Sequence, residues 1–214
     1  MDRIALDIET IPLAKDPDFD SPEDWSVFAI ALGHSAPDSD TVVDVLFRDN
    51  PHFTAERDLI ERMIDWVADR TRGEARTILT YNGESYDLPV LRHRAYELDE
   101  AITDSNLAER LYLLLETSLH TDLIQIMKER KGYFVSLDDA LEEHNVDADK
   151  PEWMGKPVEG SDMPSMGLEL ISGRQNDRLR EKVNRYAASD VKPLFDLDRK
   201  LNARECTSRE LSQR

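Results

Sequence analysis

Residues 6–10 read LDIET and lie within the largely apolar stretch 1-MDRIALDIETIPLA-14. Side chains alternate across a strand, so residues two apart share a face. Asp7 and Glu9 therefore point the same way, with Ile4, Leu6 and Ile8 on the opposite face. Two close carboxylates repel each other unless a cation stands between them. The chain also contains DPD, DSD and DAD, but those acids sit in polar stretches where they can splay into water. Asp7-Ile8-Glu9 ends an apolar strand instead. Taken alone, it leaves two readings open, a metal site or a solvated strand end.

The chain has 214 residues, 40% of them hydrophobic, which suits one folded domain. No run approaches the roughly 18 apolar residues of a membrane span, so no membrane partner is expected. The first residues enter a strand at once, without the basic and apolar regions of a signal peptide, and a cytoplasmic protein is expected. The single cysteine, Cys206, excludes an internal disulfide and a cysteine-based zinc site and reads as an incidental thiol. There are 45 acidic residues against 27 basic, for a net charge of -18. The acids are spread along the chain, which indicates an acidic solvated surface. We read this as halophilic adaptation, in which concentrated salt screens the self-repulsion. The same charge opposes a polyanionic partner, except where bound metal ions supply the positive charge.

Around the opening strand (3–8), ended by Thr10-Ile11-Pro12, the pattern predicts strands at 27–34, 41–47 and 76–82. It predicts helices at 54–69 with Thr54 as N-cap, at 88–98, 108–116 and 136–146, and one long helix over 177–201. HTDLIQIM (120–127) suits either a strand or a helix start. Residues 147–167 read as a loop rich in Pro, Gly and Met. Three early strands followed by alternating strands and helices indicate an α/β domain with a mixed sheet. It is expected over residues 1–202, with a polar tail over 203–214.

Two further stretches bear on the acid pair. In 81-YNGESYDLPVL-91 a strand ends at Asn82-Gly83, and Asp87 stands just before a helix. Asp87 suits a helix N-cap, but loops at the carboxyl edge of an α/β sheet are also where ligands bind. In 184-NRYAASDVKPLF-195, Tyr186 and Asp190 are four apart on a helix and share a face. Each has an ordinary structural explanation when taken by itself.

LDIET, YNGESYDLPVL and YAASD, in that order, resemble the three motifs of the DEDD exonuclease superfamily. The tyrosine of the third motif is similar to its DEDDy branch. The histidine branch would place histidine at position 185, which is arginine. The second motif resembles most the proofreading exonuclease domain of family B DNA polymerases. The resemblance spans about residues 3–200. It implies the ribonuclease H-like fold, with a mixed sheet of five or six strands flanked by helices. It also implies a metal-dependent 3′–5′ exonuclease acting on the 3′ end of single-stranded DNA or RNA. Asp7, Glu9, Asp87 and Asp190 are then the ligands of two divalent cations, Mg2+ or Mn2+, and Tyr186 orients the attacking water. Asn82 is expected to contact the terminal nucleotide. Transient replication, repair or RNA-processing proteins are the expected partners. A non-catalytic end-binding or scaffold module on the same fold, and an endonuclease, stay open as alternatives.

Arg92, following the second motif, suits a phosphate-backbone contact or a solvated helix face. Arg178, Arg180, Lys182 and Arg185 form the most basic stretch and suit either substrate or neighbouring acids. His120 reads as structural. Trp153, Met154, Met163 and Met166 suit base stacking or the edge of the core.

Overall fold

The computed structural model describes backbone over residues 2–212 except 38–39, 72–74, 104, 154 and 174–175, and side chains no further than residue 203. Met154 and the Cys206 thiol lie outside the described part.

Five strands form the main sheet: β1 (Asp2–Pro12), β2 (Trp25–Ser35), β3 (Val42–Phe47), β4 (Arg76–Thr80) and β5 (Leu119–Asp122). Their order is β3-β2-β1-β4-β5. β1, β2 and β3 pair antiparallel, while β1–β4 and β4–β5 are parallel. β1 is central, and its even and odd residues feed two separate cores. Ile4, Leu6 and Ile8 pack against α1 (Phe53–Thr71), α2 (Asp87–Ala101) and α3 (Leu107–Glu116). Ala5, on the face of Asp7 and Glu9, packs among residues of α4 (Leu123–Lys131), α5 (Leu137–Glu143), α7 (Asp177–Val191) and α8 (Leu194–Ser212). Helices thus cover both faces, as parallel pairing requires.

Four expectations differ from the structure. β1 does not end at Thr10: Thr10, Ile11 and Pro12 pair with Val27, Ser26 and Trp25 after a register shift beside Glu9. Phe28 is the extra residue on β2, so β1 continues past the acids through a bulge, which is a common device beside functional sites. α1 begins at Phe53, which puts Thr54 inside its first turn. The expected helix 177–201 is two helices that meet at Lys192-Pro193, because proline lacks the N–H that would continue the helix. Residues 147–167 are more ordered than a loop: a small hairpin, β6 (Glu152–Trp153) with β7 (Lys156–Pro157), leads into α6 (Met163–Ile171). Met163 and Met166 are buried there against Phe28 and Ile11 and offer no stacking surface. Gly167 allows that close approach, since a Cβ would lie 2.6 Å from the Phe28 ring. HTDLIQIM divides at Asp122 into β5 and the start of α4.

No described helix is long and apolar enough to cross a membrane.

Candidate metal centre

β1 carries Asp7 and Glu9 on the face covered by α7, and α7 carries Asp190. One carboxylate oxygen from each of the three lies within 4.8 Å of the other two. Glu9 is 7% exposed. Its Oε1 and the Oδ1 of Asp190 are buried without any hydrogen-bond partner. Buried carboxylate oxygens are almost always satisfied, so orphans that converge mark a place for something else. An all-oxygen, multiply anionic donor set fits a hard divalent cation such as Mg2+ or Mn2+.

Asp87 reaches the same region from the start of α2 but is not one of the three closest acids. Its Oδ1 accepts the N–H of Ile8, the residue between Asp7 and Glu9, at 3.2 Å. Asp87, Asp7 and Asn82 line one cavity of about 310 Å³ with Ile8, Phe19 and Tyr86. The turn that launches α2 is held from β5. Asp122 accepts the N–H of Asn82 at 2.7 Å and of Glu84 at 2.9 Å, and Asn82 takes a left-handed φ of 66°. Gly83 is needed there, since a Cβ would meet the Thr80 side chain at 2.5 Å. Asp122 precedes α4 as an N-cap would, but its side chain makes no cap bond to that helix.

Burial and mutual repulsion dominate the electrostatics of these acids. Burial pushes the Asp7 carboxyl well above the usual range, and Asp87, Glu9 and Asp190 raise it further. Burial, then Asp190 and Asp87, do the same to Glu9. Asp87 is pushed up to about 7 by burial, against the hydrogen bonds it accepts. Asp190 is pushed up to about 6 by burial, which outweighs the Lys150 ammonium and the Tyr186 hydroxyl. Lys150 Nζ stands 2.5 Å from Asp138 and 4.0 Å from Asp190 Oδ1, too far to hydrogen-bond the latter. It also lies 5.7 Å from the Tyr186 ring centroid. Tyr186 is buried one turn before Asp190, and burial and then the Asp190, Glu9 and Asp7 carboxylates raise its hydroxyl far above the ordinary tyrosine value.

The remaining candidates lie elsewhere. Arg92 lines a different cavity, with Leu88, Leu115, Glu116, Ser118 and His120. His120 Nε2 meets Thr80 Oγ1 at 2.9 Å, a structural contact. Arg180 and Arg185 stand 3.7 Å and 3.1 Å from Asp49 and Asp149. Trp153 is half-buried. Sequence reasoning missed Phe19, which is 66% exposed at the rim of the acidic cavity. Its ring stacks on Trp25 at 4.8 Å and leans on Tyr86 at 5.5 Å. The main-chain carbonyl of Asp18 fixes this loop by accepting the indole N–H of Trp25 at 2.8 Å. The available signal was a lone aromatic inside 16-DPDFDSPEDW-25, which has no apolar neighbour to pack with before Trp25.

A central mixed sheet with acids on its middle strand defines a class, and residues 4–202 match the family model of the RNase H superfamily: the chain belongs to that superfamily. Among particular proteins, it is 28% identical over 209 residues to DNA polymerase 1 of Sulfurisphaera ohwakuensis, an alignment covering 89% of this chain and 22% of the polymerase. The chain therefore spans about a fifth of that relative's length. The family B DNA polymerase of the hyperthermophilic archaeon Pyrobaculum calidifontis shares the fold, with a TM-score of 0.64 at 20% identity over 94% of this chain and 24% of that one. E. coli Exonuclease I in complex with a 5cy-dA13 oligonucleotide aligns with a TM-score of 0.47 at 13% identity over 94% of this chain and 40% of that one.

Proposed function

We propose that the protein is a DEDDy-type 3′–5′ exonuclease that hydrolyses the terminal phosphodiester of single-stranded DNA or RNA with two divalent cations, Mg2+ or Mn2+. The observation that carries this reading is the convergence of Asp7, Glu9 and Asp190 with two buried, unpartnered carboxylate oxygens. Asp7, Glu9, Asp87 and Asp190 hold the cations. Bound there, the cations would supply an acidified water and neutralise the charge building on the phosphate.

The side chains do the rest. Burial and the neighbouring carboxylates hold the Tyr186 hydroxyl well above the ordinary tyrosine value, so it serves as a hydrogen-bond donor rather than a base. It aims the water or a phosphate oxygen. Asn82, at the cavity wall, contacts the terminal nucleotide, and the Phe19–Tyr86 surface takes its base. Aromatic faces stack any base, so such a site is tolerant of sequence.

The test uses single-stranded DNA and RNA labelled at the 5′ end, with Mg2+ or Mn2+. A stepwise ladder shortening from the 3′ end is expected. It should vanish in D7A and D190A, which still fold. A single internal cut identifies an endonuclease, and binding without cleavage identifies a non-catalytic module. Either result, or more than about a hundredth of wild-type activity in D7A or D190A, overturns the reading.

A further inference from the structure

We propose that Tyr133 and Phe134, with Lys128 beside them, form a second binding surface that stacks the bases of the single strand lying beyond the terminal nucleotide. The inference rests on the nuclease reading of the acidic site and adds a second place where the strand is held.

Tyr133 and Phe134 are consecutive and are 63% and 61% exposed. Isolated exposed apolar side chains need no explanation, but two adjacent aromatic rings facing water do. They follow Gly132, whose left-handed φ of 79° ends α4 and turns the chain outward. The next residue, Val135, returns to the core. The pair therefore sits on a short bridge anchored at both ends.

That bridge is tied to the acidic site. The hydroxyl of Tyr81 donates to the carbonyls of Val135 and Ser136, at 2.7 and 3.1 Å. Tyr81 itself lines the cavity of Asp7 and Asp87. On the other side, Asp138 at the start of α5 holds Lys150, which stands over Tyr186 and beside Asp190. Among the described residues, the exposed aromatics Tyr96 and Tyr112 lie on α2 and α3, which cover the opposite face of the sheet.

A cation beside the exposed rings favours nucleic acid as the occupant. Of the cations in the last turn of α4, Arg130 donates to the Leu201 carbonyl and Lys131 pairs with Glu143 at 2.7 Å, while Lys128 stands beside the rings. Lys128 Nζ lies 5.7 Å from the Phe134 ring centroid. Planar rings flanked by a cation suit a run of stacked bases on a phosphate backbone. A strand with its terminal nucleotide at Phe19 and Asn82 would pass Tyr81 to reach this surface.

The experiment compares wild type with Y133A/F134A and Y133W/F134W on a dinucleotide and on a single-stranded 12-mer. Binding is measured by fluorescence anisotropy with Ca2+ in place of Mn2+, so that cation charge is kept at the acids, and turnover with Mn2+. Melting curves establish that both variants fold. The alanine variant is expected to bind the 12-mer about tenfold more weakly, with KM raised accordingly and kcat unchanged. It should treat the dinucleotide as wild type does, and the tryptophan variant should keep 12-mer affinity. A 12-mer with abasic sites beyond its terminal nucleotide should bind both proteins equally. An unchanged 12-mer affinity, the outcome if these rings dock a protein, overturns the proposal. So does an equal loss on both substrates. A wild type that binds the 12-mer but cleaves nothing refutes the nuclease reading, while the anisotropy still decides this one.

Discussion

Replacing Asp87 with asparagine should stabilise the metal-free protein, and by an amount that grows with pH. Its carboxyl stands at about 7 in the fold, against about 3.9 for a free aspartate. A carboxyl with a raised folded pKa contributes most stability when protonated. That contribution is complete below pH 4 and is lost as pH rises through about 7. At ~1.4 kcal/mol per tenfold change in proton affinity, three decades correspond to about 4 kcal/mol. The four acids share their protons, which reduces the part assignable to one residue to on the order of 2–4 kcal/mol. Asparagine keeps an Oδ1 that can accept the Ile8 N–H and carries no charge. D87N and wild type should therefore melt together near pH 4.5 in EDTA. At pH 8 the variant should melt roughly 5–10 °C higher, taking ~2–4 °C per kcal/mol for a chain of this size. Saturating Mn2+ should reverse the order at pH 8, because the cations stabilise the ionised acids and D87N supplies one fewer. Thermal melts in EDTA and in Mn2+ at three pH values read all of this, and taking the difference between two proteins cancels the other titrating groups. A D87N that melts below wild type at pH 8 in EDTA, or a difference independent of pH, would refute the reasoning.

Two further outcomes are expected. Y186F should lower kcat by about a hundredfold, the usual loss for one transition-state donor; neither protein should show a tyrosine ionisation in its rate profile up to pH 9, and a wild-type break there absent from Y186F would contradict the donor role. D122N keeps one acceptor but turns an amide toward a backbone N–H, so it should lose about 1–3 kcal/mol and loosen the Asn82 turn. N82G, free to take positive φ, should recover part of that stability in the double variant, and additive losses on denaturant titration would show that Asp122 does not act through this turn.

Strand alternation alone put Asp7 and Glu9 on one face, and helical spacing alone put Tyr186 beside Asp190. Those rules are local, because backbone geometry repeats every two or every 3.6 residues. The order of the three motifs then made the ribonuclease H-like fold legible. The errors have local causes as well. A bulge has no sequence period, so the continuation of β1 past Glu9 was hidden. Proline read as compatible with a long helix in fact divided α7 from α8. Met163 and Met166 read as possible stackers because nothing local says which way a loop turns.

Sequence by itself determined the chemistry available here: which acids exist, which neighbours share a face, and how much charge the surface carries. Only the tertiary structure decided which of those groups meet. Asp190 lies more than 180 residues from Asp7 along the chain, and no short-range rule carries that far. Packing α7 on the odd face of β1 brings them together and removes water from between them. The same fold leaves Glu9 and Asp190 oxygens unpartnered, takes Met163 and Met166 inside, and leaves Phe19, Tyr133 and Phe134 outside. Burial and convergence are properties of the folded chain, and they are what turn ordinary acids into a site that calls for a cation.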